Sequence, residues 1–379
     1  MSTWILRSAA LGLLAASFAA CGGPEGPETE TGADAALPTD AASATPDASS
    51  GPIDPPPPGP APTDPRDMAA VFFSGHSLIN VNTPTFFAQL AESEGRGVSF
   101  QLQMGLGSPM SVRLACPRSG QQADGGEITF DVQEELRRPG VYDTLIVTER
   151  HDIVDAMLGE RSTAMARRFR DAFHAGNPAG QPFLFESWYT IDRADPEAFR
   201  ARAARELVAW QCIASKVNET RGESPAMIVI PAGQMIAEVT GDIVAGRVPG
   251  MTDLGQLFLD DVHLTPEGNY LVALLHYGVA FRRTPVGLTH GGLRPLADPP
   301  PSISAELATY LQAVASRYVD RTFADASESQ RSDAECIELL NSVCEAQYGA
   351  GHWACGDMPS RFRDVDAAIP PQDGDWCRR

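Results

Sequence analysis

The stretch Val71-Phe-Phe-Ser-Gly-His-Ser77-Leu-Ile decides how this chain is read. With the residues just before it, Met68–Ser74 forms a short apolar run of the kind that makes a strand buried on both faces. Gly75 then lets the chain turn sharply, and Ser77 stands at the tip of that turn. Far downstream, Asp260-Asp-Val-His263-Leu-Thr-Pro-Glu-Gly places an aspartate three residues before a histidine, at the mouth of a helix. A serine, a histidine to take its proton and a carboxylate to orient the histidine are the parts of a nucleophilic site. Asp261 is a second candidate for the orienting carboxylate.

Between these segments, short apolar runs alternate with helical stretches. Strands are expected at Met68–Ser74, Gly97–Met104, Tyr142–Thr148, Pro182–Glu186 and Ala226–Ile230. Helices are expected from Thr83-Pro84 to Glu94, over Glu127–Arg138 and Ile153–Ala175, from Asp195-Pro196 to Val217, and over Pro266–Phe281 and Ser302–Val319. Thr83, Asp195 and Thr265 each precede a proline, the pairing of N-cap and first helical residue. Strands alternating with helices give a parallel sheet covered on both faces. The expected fold is therefore α/β: a three-layer α/β/α, flavodoxin-like domain with about five parallel strands. In such sheets the site lies beyond the carboxyl ends of the strands. Ser77, Gly105, Gly107, the run Glu149-Arg150-His151-Asp152 and Ser187-Trp188-Tyr189 all follow strands, and His263 precedes the domain's last helix. These positions converge on one edge.

These blocks resemble the SGNH (GDSL-type) hydrolase superfamily. Its hallmarks are a serine after the first strand, a glycine after the second, an asparagine after the third and D-x-x-H near the end. Ser-Gly-His76-Ser77-Leu matches the serine block, with His76 where Asp or Asn usually sits. Asp260-Asp-Val-His263 matches the last block, flanked by Ile228-Val-Ile-Pro-Ala-Gly and Leu264-Thr-Pro-Glu-Gly-Asn-Tyr-Leu. The resemblance covers about residues 69–285. It implies a serine esterase with Ser77 as nucleophile, His263 as base and Asp260 as orienter. Gly105 and Gly107, in Met104-Gly-Leu-Gly-Ser-Pro109, both qualify for the glycine block. The asparagine block is absent: Glu149-Arg150-His151-Asp152 stands in its place, so His151 or Arg150 would donate to the oxyanion. His76, Glu149, Trp188 and Tyr189 are candidates to line the substrate site.

The ends of the chain read differently. Residues 1–21 have a basic Arg7 followed by an Ala/Leu-rich run too short to span a bilayer. Ser17-Phe-Ala-Ala-Cys21 resembles a bacterial lipobox, which implies a lipidated Cys21 and a place in the cell envelope, at the outer membrane or cell surface. Residues 22–66, with Pro55-Pro-Pro-Pro58 and no aromatic residue, are too poor in apolar surface to fold and read as a tether. Residues 67–288 form the hydrolase-like domain, and 289–324 a proline-rich connector with a packing helix. Residues 325–379 hold four cysteines and few aliphatic residues, which reads as a small appendage stapled by disulfides. A link from Cys116 or Cys212 into this segment is the alternative.

A net charge of −20 with one lysine, Lys216, argues against a nucleic-acid partner. The expected partner is a small-molecule or carbohydrate ester, and contact with a membrane would run through the lipid anchor alone. No cysteine or histidine spacing suggests a metal, and no glycine loop suggests a cofactor. Oligomeric state is left open. A chain that keeps this fold without activity, as a glycan- or partner-binding module, is the competing expectation.

Overall fold

The computed structural model describes residues 64–372 apart from 117, 123–126, 297 and 329. The leader, Cys21 and nearly all of the tether fall outside these residues.

In chain order the elements are β1 (Met68–Gly75), α1 (Asn82–Ser93), β2 (Gly97–Met104), α2 (Met110–Ala115), β3 (Arg118–Gln122), β4 (Glu127–Phe130) and α3 (Val132–Leu136). There follow β5 (Thr144–Val147), α4 (Ile153–Glu160), α5 (Ser162–Gly176), β6 (Gln181–Phe185), α6 (Pro196–Asn218), β7 (Ile228–Ile230) and α7 (Ala232–Val244). The chain closes with α8 (Pro266–Phe281), α9 (Ala305–Glu328), α10 (Asp333–Tyr348) and α11 (Met358–Arg363). The sheet order is β4-β3-β2-β1-β5-β6-β7. The five strands from β2 to β7 through β1 run parallel. Their order reverses at β1, as in flavodoxin-like sheets, so a crevice opens beyond the ends of β1 and β5. β3 and β4 extend the β2 edge as an antiparallel pair.

Period-two alternation sorts the strand residues between two cores. Val71, Phe73, Ile146, Phe183 and Phe185 bury on one face, with residues of α1, α7, α8 and α9. Phe72, Leu145, Val147 and Leu184 bury on the other, with residues of α2, α4, α5 and α6. Phe72 and Phe73 are adjacent and both fully buried, which only a central strand covered on both sides permits. Truncating either to alanine would cost about 3–5 kcal/mol.

Four expectations need correction. Glu127–Arg138 is not one helix: Glu-Ile-Thr-Phe pairs with β3, and Asp131 starts α3 by accepting from the Gln133 and Glu134 N–H groups. Ile153–Ala175 is broken at Arg161, which adopts φ 60° just after Gly159 and reaches Asp364 at 3.8 Å. Thr83 is no N-cap: α1 begins at Asn82, and the Thr83 hydroxyl turns to Asn269 Oδ1 at 3.3 Å. The helix after the connector runs Ala305–Glu328 rather than ending near Val319.

The tail does not rely on disulfides alone. Cys336, Leu340, Val343, Cys344, Met358 and Phe362 share one core with Phe169, Trp210 and Ile213 of α5 and α6. Cys212 of α6 is bonded to Cys336, one of the alternative links into the tail, and Cys344 is bonded to Cys355.

Candidate active site

Ser77 follows β1 at its carboxyl end. The turn needs glycine at position 75, because a Cβ there would stand 2.5 Å from Ile79 Cδ1. Two successive turns, Ile79 N–H to His76 O (3.0 Å) and Asn80 N–H to Ser77 O (3.1 Å), fix the loop. The N–H of Ser77 donates to no described protein group. Its hydroxyl lies 2.9 Å from His263 Nε2.

His263 sits on a loop that carries its own scaffold. Phe258 bridges Leu264, and the Leu259 N–H donates to His263 O at 2.8 Å. Asp260 Oδ1 accepts from the N–H groups of Val262 (2.8 Å) and His263 (2.6 Å). Asp260 Oδ2 accepts from His263 Nδ1 at 2.7 Å. That bond assigns the proton to Nδ1, leaving Nε2 free to accept from Ser77 Oγ–H. Burial pushes the Asp260 carboxyl up, but the hydrogen bonds from His263 and Val262 outweigh it and hold the group below its ordinary range. Asp261 does not compete, for its side chain points to solvent and makes no bond to His263. Arg193 donates to the carbonyls of Phe258 (2.9 Å) and Asp260 (2.7 Å), and the Trp188 indole donates to Val262 O at 2.7 Å. Thr265 and Pro266 then start α8 directly behind the histidine.

The two glycines separate. Gly105 N–H is spent on Gly75 O (3.0 Å), and a Cβ would meet Ser108 Oγ at 2.3 Å. It closes the end of the sheet and has no donor left for a substrate. Gly107 is exposed at φ +61°, with no neighbour within 4 Å of a would-be Cβ, and its N–H is unspent among the described residues.

Most of the proposed lining lies beneath the site. His76 is buried, with Nε2 donating to Glu149 O at 3.1 Å and Nδ1 accepting from Leu78 N–H at 3.4 Å. Burial, then Arg113 and His151, hold its imidazole well below the usual range, so it is neutral. Glu149 is also buried, and its Oε1 accepts from the N–H groups of Met110 (3.0 Å) and Arg150 (2.8 Å). Burial raises its carboxyl in spite of the nearby Arg113 charge. Trp188 buttresses the His263 loop, and Tyr189 is buried with the Arg202 guanidinium 3.8 Å from its ring centroid. His76, Glu149 and Trp188 support the site from beneath, Tyr189 packs against Arg202, and all four are buried rather than lining the crevice. His151 and Arg150 remain half-exposed. The His151 ring stands 6.1 Å from that of His76, and its Nε2 lies 3.4 Å from Asp152. Burial lowers its basicity against the pull of Asp152.

Arg113, on α2, has no signal in the sequence, because arginine is ordinarily a surface residue. Here it is fully buried. Nε donates to Ser74 Oγ (3.1 Å), one terminal nitrogen to Ser108 O and the other to Thr148 O. It ties together the ends of β1, β2 and β5, the three strands that present Ser77, Gly107 and His151. Apolar side chains also flank the site: Leu106 beside Gly107 and Leu259 beside Asp260 are both largely exposed.

The class defined is a flavodoxin-like α/β/α domain with a Ser–His–Asp set at its topological switch point. No protein-family model matches the chain, and no curated protein does. Among solved structures, a DUF4886 family protein from Bacteroides uniformis is similar at 14% identity and a TM-score of 0.48, over 66% of this chain and 95% of that one.

Proposed function

We propose that this chain is a serine esterase of the SGNH (GDSL) type that hydrolyses carboxylic esters through an acyl-enzyme. The observation that carries this reading is the hydrogen-bonded series Ser77 Oγ, His263 Nε2, His263 Nδ1 and Asp260 Oδ2, at 2.9 and 2.7 Å. His263 removes the Ser77 proton as Oγ bonds to the ester carbonyl carbon. Asp260 holds the ring and stabilises the imidazolium. The N–H groups of Ser77 and Gly107, with His151, donate to the oxyanion. Collapse breaks the bond to the alcohol, which leaves with the proton from His263. Water, deprotonated by the same histidine, then attacks the acyl carbon and frees Ser77 and a carboxylic acid.

The site is open: the side chains of His263 and Asp260 are 37% and 53% exposed. An open triad suits an acyl group projecting from a larger body, such as an O-acyl group on extracellular carbohydrate. The disulfides fit an oxidising compartment, and with the lipobox-like Cys21 they support an exported, envelope-tethered enzyme. The rival is a catalytically impaired binding module, favoured by the missing asparagine. The full chain and its Ser77→Ala variant are to be compared on a short-chain aryl ester. A loss of at least about 10⁴-fold in kcat is expected, and equal rates would rule out the enzyme.

A further inference from the structure

The disulfide Cys344–Cys355 closes a short loop that presents three aromatic rings in a row. Tyr348 stacks on His352 at 4.9 Å and 15°, and His352 meets Trp353 at 5.6 Å. Trp353 is 78% exposed, the most of any large apolar side chain among the described residues. Holding an indole in water forgoes about 2–3 kcal/mol of burial, yet the loop is built to do so. The His352 N–H donates to Gly349 O and the Cys355 N–H to His352 O, while Glu345 Oε1 accepts from Gly351 N–H at 3.3 Å. The rings are thus ordered before anything binds.

Their place is as telling as their exposure. The Tyr348 hydroxyl donates to Asp155 Oδ1, and Gln347 Nε2 donates to the same oxygen at 3.2 Å. Asp155 is one helical turn from Asp152, which pairs with His151. The platform is therefore anchored to the helix that starts at the catalytic crevice.

We propose that Tyr348, His352 and Trp353 form a sugar-stacking subsite that holds the glycan bearing the ester. An aromatic face takes the C–H face of a pyranose, and the surrounding carboxylates accept its hydroxyl protons. Apart from Trp353 and Tyr348, no exposed large apolar side chain lies on this loop, so its apolar patch is small beside the about 800 Å² per partner of a stable protein complex, which favours a small ligand. The acidic neighbours Asp155, Glu345 and Asp357 oppose an anionic membrane surface. The choice of an acylated glycan as ligand rests on the esterase reading above, whereas the stacking geometry does not.

The test measures binding alone, with the full chain carrying Ser77→Ala so that acyl groups survive. Affinity electrophoresis is run in gels containing acetylated xylan or acetylated glucomannan, and calorimetry with an N-acetylglucosamine hexamer. At least one is expected to bind, and Trp353→Ala to weaken it about tenfold. Trp353→Phe should recover part of that loss, and Val244→Ala, on the exposed face of α7, should bind like the parent. Binding to none of the three, or equal binding by Trp353→Ala, overturns the subsite. Glycan binding by a chain whose wild type leaves aryl esters intact would sink the esterase reading and keep the platform.

Discussion

His263 Nε2 and Ser77 Oγ are 186 residues apart in sequence and 2.9 Å apart in space. No local preference brings them together. The parallel pairing of β1 with β5 and the packing of α8 under the sheet do so, with Arg193 and Trp188 setting the height of the histidine loop. The contact is therefore a property of the folded core, and the side chains that fix it are buried or tied to main-chain carbonyls.

From that contact follows a pattern of non-additivity. Ser77→Ala and His263→Ala should each lower kcat on an aryl ester by at least about 10⁴-fold, and the double variant should be no worse. Asp260→Asn keeps a side chain of the same size but disturbs the Nδ1 proton, and should cost about 10³–10⁴-fold. Steady-state kinetics of the four proteins check this. Losses that multiply would mean that Ser77 and His263 do not act as a unit.

His151 stands where the family resemblance asks for an asparagine. It is half-buried, close to His76, and kept neutral by burial, so it has one N–H to give. His151→Ala should reduce kcat by about 10²–10³-fold with little change in KM. His151→Asn returns an amide donor and should be at least as active as wild type. An alanine variant with unchanged kcat would leave the oxyanion to the two backbone N–H groups.

Legibility in the sequence tracked how local the cause was. Gly97–Met104 and Pro266–Phe281 have the bounds their own residues suggest, since an alternation of apolar and polar residues and a Thr-Pro start act within a few positions. The meeting of Ser77, His263 and Asp260 was legible for the same reason, as short blocks at element ends. What was hidden depended on distant partners. Glu127–Phe130 is a strand only because β3 is beside it. Trp188 and Tyr189 follow a strand at the site edge, but their rings find a carbonyl of the histidine loop and the Arg202 guanidinium and turn inward. Arg113 is buried only because Ser108 and Thr148 leave carbonyls for it.

Acid should weaken the fold through His276. Both its ring nitrogens are buried without partners, between the rings of Phe73 and Phe185. Burial pushes it from 6.5 down to about 3. Above pH 6.5 the imidazole is neutral in both states and contributes no slope. Below it the unfolded chain takes up the proton first, so stability falls by about 1.4 kcal/mol per pH unit down to about pH 3. Urea unfolding of wild type and His276→Leu at two pH values measures this. Between pH 8 and pH 4.5 the variant should lose about 2–3 kcal/mol less than wild type, and parallel losses would contradict the assignment.

The disulfides Cys212–Cys336 and Cys344–Cys355 should differ in weight. Cys212–Cys336 spans 124 residues and joins α6 to the tail, whereas Cys344–Cys355 spans 11. Loop closure in the unfolded chain favours the longer link by about 2 kcal/mol. Replacing Cys212 and Cys336 by alanine should therefore lower the unfolding free energy by about 5 kcal/mol, and replacing Cys344 and Cys355 by about 3 kcal/mol. Since Leu340, Met358 and Phe362 share a core with α5 and α6, the tail should melt together with the sheet. Calorimetry of each variant would then give a single transition at a lower temperature. A separate early transition in the Cys212/Cys336 variant would instead make the tail an independently folding appendage held on by that bond.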